Sequence, residues 1–248
     1  MCYPSSSVLL PNKTALVTGG AHRVGKAIAL ELAQAGANLC IHYNASEKAA
    51  QETAAEIETL GVRAWALKAD LSQPTEIEAL FAGVSAACGS LDVLVNSASI
   101  METGDARTLP LEAWNRSLAI NLTAPFLCAQ HAARLMGNGG VIINITDGSA
   151  LRPWANYPAH SVSKAGLAQL TQVLAKALAP NIRVNAVSPG PVMKPPHWEE
   201  SRWERVAQGT LLKRAGSGYD VARAVRFLIE NDFITGETLV VDGGERWR

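Results

Sequence analysis

Three glycines punctuate Thr18-Gly19-Gly20-Ala21-His22-Arg23-Val24-Gly25, a turn that follows a short apolar run and opens a helical pattern. Glycine permits the tight turn, so a diphosphate can approach the unpaired N–H groups and the positive dipole end of the helix behind it. Dinucleotide sites that prefer NAD usually carry an Asp or Glu about 20 positions further on, hydrogen-bonded to the ribose 2′-hydroxyl. Here that stretch reads His42-Tyr43-Asn44-Ala45-Ser46, with no carboxylate to repel a 2′-phosphate. His22 and Arg23 can supply positive charge there, and Asn44 and Ser46 can donate hydrogen bonds, which favours NADP(H) over NAD(H). Ser46 also reads as the N-cap of the next helix, a role compatible with phosphate binding because both use the same helix end. A second cluster lies far along the chain. His160 and Lys164 are one helical turn apart, which places them on one face and predicts that they share a cleft. At ~4 Å and an effective dielectric near 20, the lysine charge would oppose imidazole protonation by ~4 kcal/mol, and a nearby carboxylate would restore it. A histidine so balanced can donate a proton.

These groups need a scaffold, and the chain alternates short β-rich runs with amphipathic stretches. Residues 14–18, 38–42, 63–68, 91–96, 141–145 and 182–187 read as strands buried on both faces, with a last strand over 238–241. Helical patterns run over about 24–35, 46–60, 75–88, 111–136 and 157–179. Gly36, Gly61 and Gly89 each follow one, where a left-handed cap wants glycine. The pattern predicts an α/β fold: one doubly wound parallel sheet of the Rossmann type with helices on both faces, in a single domain over 1–248. The irregular, proline-rich segment at about 191–212, with Trp198, Arg202 and Trp203, is placed where a substrate lid would sit.

Composition narrows the partners. Twenty-two Lys+Arg balance 22 Asp+Glu, leaving no electrostatic footprint for nucleic acid or an anionic membrane. The chain is 48% hydrophobic and 18% charged, which excludes a disordered chain. No stretch approaches the ~20 apolar residues of a membrane helix, and the first residues lack the pattern of a signal peptide. Cys2, Cys40, Cys88 and Cys128 form no metal-type spacing and read as buried, reduced thiols. The expectation is a cytoplasmic protein with a small-molecule substrate, no metal, no nucleic acid and no membrane.

Several motifs together resemble the short-chain dehydrogenase/reductase family over nearly the whole chain. They are TGGAHRVG, Asp70 in KADLS, Asn96-Ser97-Ala98-Ser99, Asn121 in AINLTAPF, Lys164 in HSVSKAG, RVNAVSPGPV and GETLVVDGG. Arg23, Ser99, Asp147 and PPHWEESRW are similar to the pteridine reductase branch. The resemblance implies that Gly19 to Gly25 hold the diphosphate and that Tyr43, Asp70 and Leu71 flank the adenosine. Asn96, Ser97 and Ala98 would line the cofactor cleft, and Pro189, Gly190 and Val192 would hold the nicotinamide carboxamide. Lys164 would bind the nicotinamide ribose, Asn121 would maintain a proton-relay water, and Ser99, Met101, Tyr157 and Trp198 would meet the substrate. It also implies a homotetramer packed through the long helix from about Tyr157 and the last strand.

This chain departs from the family pattern at its centre. His160 stands where the family has its catalytic tyrosine, four residues before Lys164, and Asp147 replaces the family's serine thirteen residues earlier. Met101 replaces an aromatic that commonly stacks on the pterin. Asn121, Asp147 and Lys164 favour an NADPH-dependent reductase of a small cyclic C=N or C=O substrate, with Asp147 and His160 as a dyad. The missing tyrosine favours a cofactor-binding protein that has lost turnover, and Met101 keeps open a carbonyl reductase of an unrelated ketone.

Overall fold

A computed structural model describes residues 10–137, 139–196 and 198–248; the N-terminal reading and Cys2 lie outside them. Seven strands form one parallel sheet in the order β3-β2-β1-β4-β5-β6-β7. They are β1 Thr14–Thr18, β2 Asn38–Tyr43, β3 Ala64–Lys68, β4 Val93–Asn96, β5 Gly140–Ile145, β6 Ile182–Pro189 and β7 Thr238–Val241. Among the described residues eight α-helices accompany them: α1 Arg23–Gln34, α2 Glu47–Glu58, α3 Pro74–Cys88, α4 Leu111–Leu118, α5 Ala124–Leu135, α6 Pro158–Leu178, α7 Glu200–Gly209 and α8 Gly218–Glu230. Among the described residues no helix is long and apolar enough to cross a membrane.

Alternation along each strand divides the core. Ala15, Val17, Leu39, Ile41, Val93, Val95 and Ile143 face α1 and α8, whereas Leu16, Cys40, Leu94, Ile142 and Val184 face α3, α5 and α6. The five inner strands are buried on both faces, as a parallel sheet requires. β3 and β7 are only half-buried, because each is an edge strand with a single neighbour. Chain direction reverses outward from β1 and β4, and the crevice beyond their carboxyl ends is where such sheets bind ligands.

The stretch 111–136 is helical throughout, as its pattern predicts, but its register changes midway. A π-helical turn, Ala119–Thr123, separates α4 from α5 and carries the buried Asn121. Pattern reading also overlooked α8, whose start is fixed by a reciprocal cap between Ser217 and Asp220. On α6, Ala159, His160, Ser163, Lys164, Leu167, Thr171 and Leu174 form the buried stripe, leaving Val162, Ala165 and Val173 exposed.

A chain of buried polar bonds fixes α6 on the sheet. Asn96 on β4 donates from Nδ2 to Asn144 Oδ1 on β5 at 2.9 Å, and Asn144 Nδ2 donates to Thr171 Oγ1 on α6 at 2.9 Å. Asn144 and Thr171 are fully buried, so a lost partner would not be replaced by water. Replacing Asn144 by Leu should therefore lower unfolding free energy by about 2–4 kcal/mol in urea titrations. A change below ~0.5 kcal/mol would mean that the network does not hold the helix.

Candidate active site

The loops at the carboxyl ends of the seven strands enclose two adjoining openings. The first, of ≈ 320 Å³, is lined by Gly19, His22, His42, Tyr43, Asn44, Ser46, Asp70, Leu71 and Ala98, among others. The second, of ≈ 470 Å³, is lined by Arg23, Val24, Ser97, Met101, Asp147, Tyr157, Lys164, Pro189, Gly190, Val192 and Trp198, together with residues from α7. Ser99 lines both. Most residues singled out from sequence thus converge on one cleft.

The glycine turn is built for close approach. A Cβ on Gly25 would lie 2.2 Å from the Gly19 carbonyl oxygen, and one on Gly19 would lie 3.0 Å from Ala98 Cα, with Gly19 at φ +66°. No side chain caps α1, whose first N–H groups face the turn. Ser46 likewise makes no capping bond to α2, so its hydroxyl is not committed to that helix end. A narrow glycine cradle with uncapped helix N–H groups suits a dinucleotide diphosphate.

Four expectations need correction. Asn96 does not line the cleft, because its amide is spent on Asn144 within the sheet. Arg23 is not at the adenosine end: its guanidinium donates to the carbonyls of Met193 at 3.0 Å and Lys194 at 3.1 Å, tying the turn to the segment before α7. Gly25 packs beneath the turn without lining either opening. Finally, His160 is only 2% exposed and stands behind Asp147, so Asp147 and Lys164 share the cleft wall and the imidazole does not.

Behind that wall the dyad is present. His160 Nε2 donates to Asp147 Oδ2 at 2.6 Å, and Asp147 Oδ1 accepts from the Ser149 amide at 2.9 Å and from the Ser149 hydroxyl. His160 Nδ1 is 3.0 Å from the Ile100 carbonyl oxygen and 3.4 Å from Asn121 Nδ2. A proton on Nδ1 suits the nearer acceptor, so the two ring nitrogens face a carbonyl on one side and a carboxylate on the other. Burial is the largest single influence on Asp147 and raises its pKa. The His160 hydrogen bond, the Lys164 charge and the Ser149 hydroxyl outweigh it and hold the carboxyl below its usual range. Lys164 is buried along its length and donates to the Ile145 carbonyl at 2.9 Å. Burial lowers its pKa, and the Asp147 charge partly offsets this.

Asn121 holds the loop after β4. Its Oδ1 accepts from the Ile100 amide at 2.9 Å and the Ser99 hydroxyl at 3.0 Å, and its Nδ2 donates to Ile100 O at 2.9 Å and Ser163 Oγ at 3.1 Å. The Ile100 carbonyl offered to His160 is therefore set by the π-helical turn.

Two residues escaped the sequence reading. Glu245, on the turn after β7, lines the second opening, and burial followed by the Asp242 charge raises its pKa. His42, at the end of β2, accepts the Gly19 N–H at Nδ1 (3.0 Å) and so must donate Nε2–H to Ala69 O (2.9 Å). This neutral tautomer joins the glycine turn to the Asp70 loop. Burial lowers its pKa, with the Ala69 bond and the Asp70 charge opposing. The unfolded chain then takes up the proton first, so His42's contribution to stability is complete above ~6.5 and is lost as pH falls through the depressed folded value. Urea midpoints should decline over that acid window in the native protein and more shallowly in His42→Gln, which keeps one donor and one acceptor but cannot titrate; identical slopes would contradict this.

Comparison with known proteins agrees with this geometry. A family model described as "Enoyl-(Acyl carrier protein) reductase" matches residues 19–245. A "Short-chain type dehydrogenase/reductase" of Picea abies is 34% identical over 253 residues, covering 95% of this chain and 93% of the relative. A "3-oxoacyl-[acyl-carrier-protein] reductase FabG" of Staphylococcus epidermidis is 35% identical, covering 94% and 98%. Among solved structures, FolM Alternative dihydrofolate reductase 1 from Brucella canis, complexed with NADP, superposes with a TM-score of 0.90 at 33% identity, covering 97% of this chain and 96% of that one. The chain belongs to the short-chain dehydrogenase/reductase family of oxidoreductases.

Proposed function

We propose that the protein is an NADPH-dependent reductase of a small cyclic C=N or C=O substrate, pteridine reductase-like, in which the Asp147–His160 pair takes over the acid role of the missing tyrosine. The observation that carries this reading is the 2.6 Å bond from His160 Nε2 to a carboxylate that itself faces the cleft beside Lys164. The glycine cradle and the carboxylate-free Asn44 to Ser46 segment fit NADP(H), and the Brucella relative is described as complexed with NADP.

When bound, the nicotinamide cofactor supplies the hydride. The chain's own residues handle the proton. Asp147, ionised at neutral pH, is a weak donor alone, but His160 stores a proton 2.6 Å behind it. As negative charge develops on a substrate atom at Asp147, the Nε2 proton moves onto the carboxylate and the carboxyl donates it forward. Ser149 keeps the carboxylate oriented, and Lys164 places its amino group at the cleft wall. Met101, Tyr157, Trp154 and Trp198 offer a largely apolar surface for a flat ring, with the segment 191–212 as lid.

A second reading is favoured by one observation: the enclosed His160 cannot itself touch a substrate, so the chain would bind NADP(H) without turning anything over. NADPH oxidation against a panel of pterins, quinones and ketones separates the two. On a substrate that reacts, Asp147→Asn and His160→Phe should each lower kcat by about 10²–10⁴-fold while leaving NADPH affinity within about 2-fold. Full turnover in His160→Phe would refute the dyad. NADPH binding without turnover in the native protein, joined to activity gained in His160→Tyr, would establish the second reading. Calorimetry should also find NADPH bound at least ~10-fold more tightly than NADH, a difference of ~1.4 kcal/mol; equal affinities would remove Asn44 and Ser46 from the 2′-phosphate site.

A further inference from the structure

We propose that Cys40 and Cys88 form a peroxide-reactive dithiol, with Cys88 as the sulfur oxidised first and Cys40 as the sulfur that closes a disulfide onto it. The residues are 48 positions apart in the chain, on β2 and at the last turn of α3, yet their Sγ atoms are 3.5 Å apart and share a hydrogen bond. Neither lines the cleft, and neither takes part in the proposed reduction.

The surroundings assign different roles to the two thiols. Cys40 is fully buried beneath the sheet surface, and Cys88 is partly exposed at a helix end followed by Gly89 in the left-handed region. The bond to Cys88, then burial, pushes the Cys40 thiol up. The same bond holds Cys88 below the usual thiol range, with burial opposing it and the Arg63 guanidinium adding to it. A partly exposed sulfur that touches a second, buried thiol is the arrangement of a peroxidatic and resolving pair. Cys128 differs on each count, being buried in the apolar core with its pKa pushed up by burial to about 12.

The chemistry balances with a hydroperoxide as oxidant. The Cys88 thiolate attacks the distal peroxide oxygen, the O–O bond breaks, sulfur loses two electrons to become a sulfenic acid, and hydroxide or alkoxide leaves. Cys40 sulfur then attacks Cys88 sulfur; the S–O bond breaks, an S–S bond forms, and the departing hydroxide takes the Cys40 proton as water. Closure requires the sulfurs to approach to ~2.05 Å, which rotation of the side chain at the last residue of α3 can begin.

The test treats the full-length native protein with hydrogen peroxide, digests it with trypsin without reductant, and maps the products by mass. The expected product links peptides 27–48 and 69–107 with a loss of about 2 Da. In Cys40→Ser, Cys88 should instead persist as a sulfenic acid trapped by dimedone, and in Cys88→Ser position 40 should remain unoxidised. With iodoacetamide and no peroxide, Cys88 should alkylate at least about 10-fold faster than Cys128. Oxidation confined to Cys2, a failure of dimedone to label Cys88 in Cys40→Ser, or equal alkylation of Cys88 and Cys128 would overturn the proposal.

Discussion

A hydrogen bond between a carboxylate that faces the cleft and an imidazole buried behind it governs the chemistry available at this site. Neither partner would be tolerated alone: an unpaired carboxylate at Asp147 or an unbonded ring at His160 would carry an uncompensated desolvation cost. The pair forms because several elements agree on its placement. Ser149 orients the carboxylate, the Ile100 carbonyl and the face of Trp154 confine the ring, and Asn121 on the π-helical turn fixes Ile100. All of this presumes that α6 sits at one height on β5, which the Asn144–Thr171 bond sets. A polar network buried in the core thus determines where a proton can be held in the cleft.

The other half of the cleft follows a comparable logic with a different histidine. His42 is buried at the base of the first opening, and its two nitrogens serve one donor and one acceptor, Gly19 and Ala69. That requirement locks the glycine turn against the loop bearing Asp70 before any ligand arrives. Preorganisation of this kind reduces the ordering cost of binding. The two histidines thereby play opposite parts. One is held neutral as a strut, and the other is placed opposite a negative charge.

Much of this was legible in the residues. All seven strands were located within two residues at either end, because short β-rich apolar runs report burial on both faces directly, and most residues singled out in the ordered motifs line one or other opening. What escaped depends on information that spacing does not carry. One helical turn places His160 and Lys164 on one face, but it cannot say that an imidazole is shorter than a phenol and so stops behind Asp147. Asn96 belongs to a motif whose neighbours do face the cleft, yet its own side chain points the other way along the pleat. Arg23 has the charge for a phosphate, and the fold directs it to the carbonyls of Met193 and Lys194. Glu245 and the Cys40–Cys88 contact arise from long-range packing between elements with no local pattern to announce them.

The account rests on a proton residing on His160 Nε2 and shared with Asp147, and nitrogen-15 NMR of the histidine side chains reads that directly. With His160 assigned by its loss in His160→Phe, the Nε2 resonance should fall in the protonated range at neutral pH, with a slowly exchanging, strongly deshielded proton. In Asp147→Ala that proton should exchange rapidly and its signal should vanish. An Nε2 resonance in the unprotonated range in the native protein, or a spectrum indifferent to Asp147→Ala, would contradict the account.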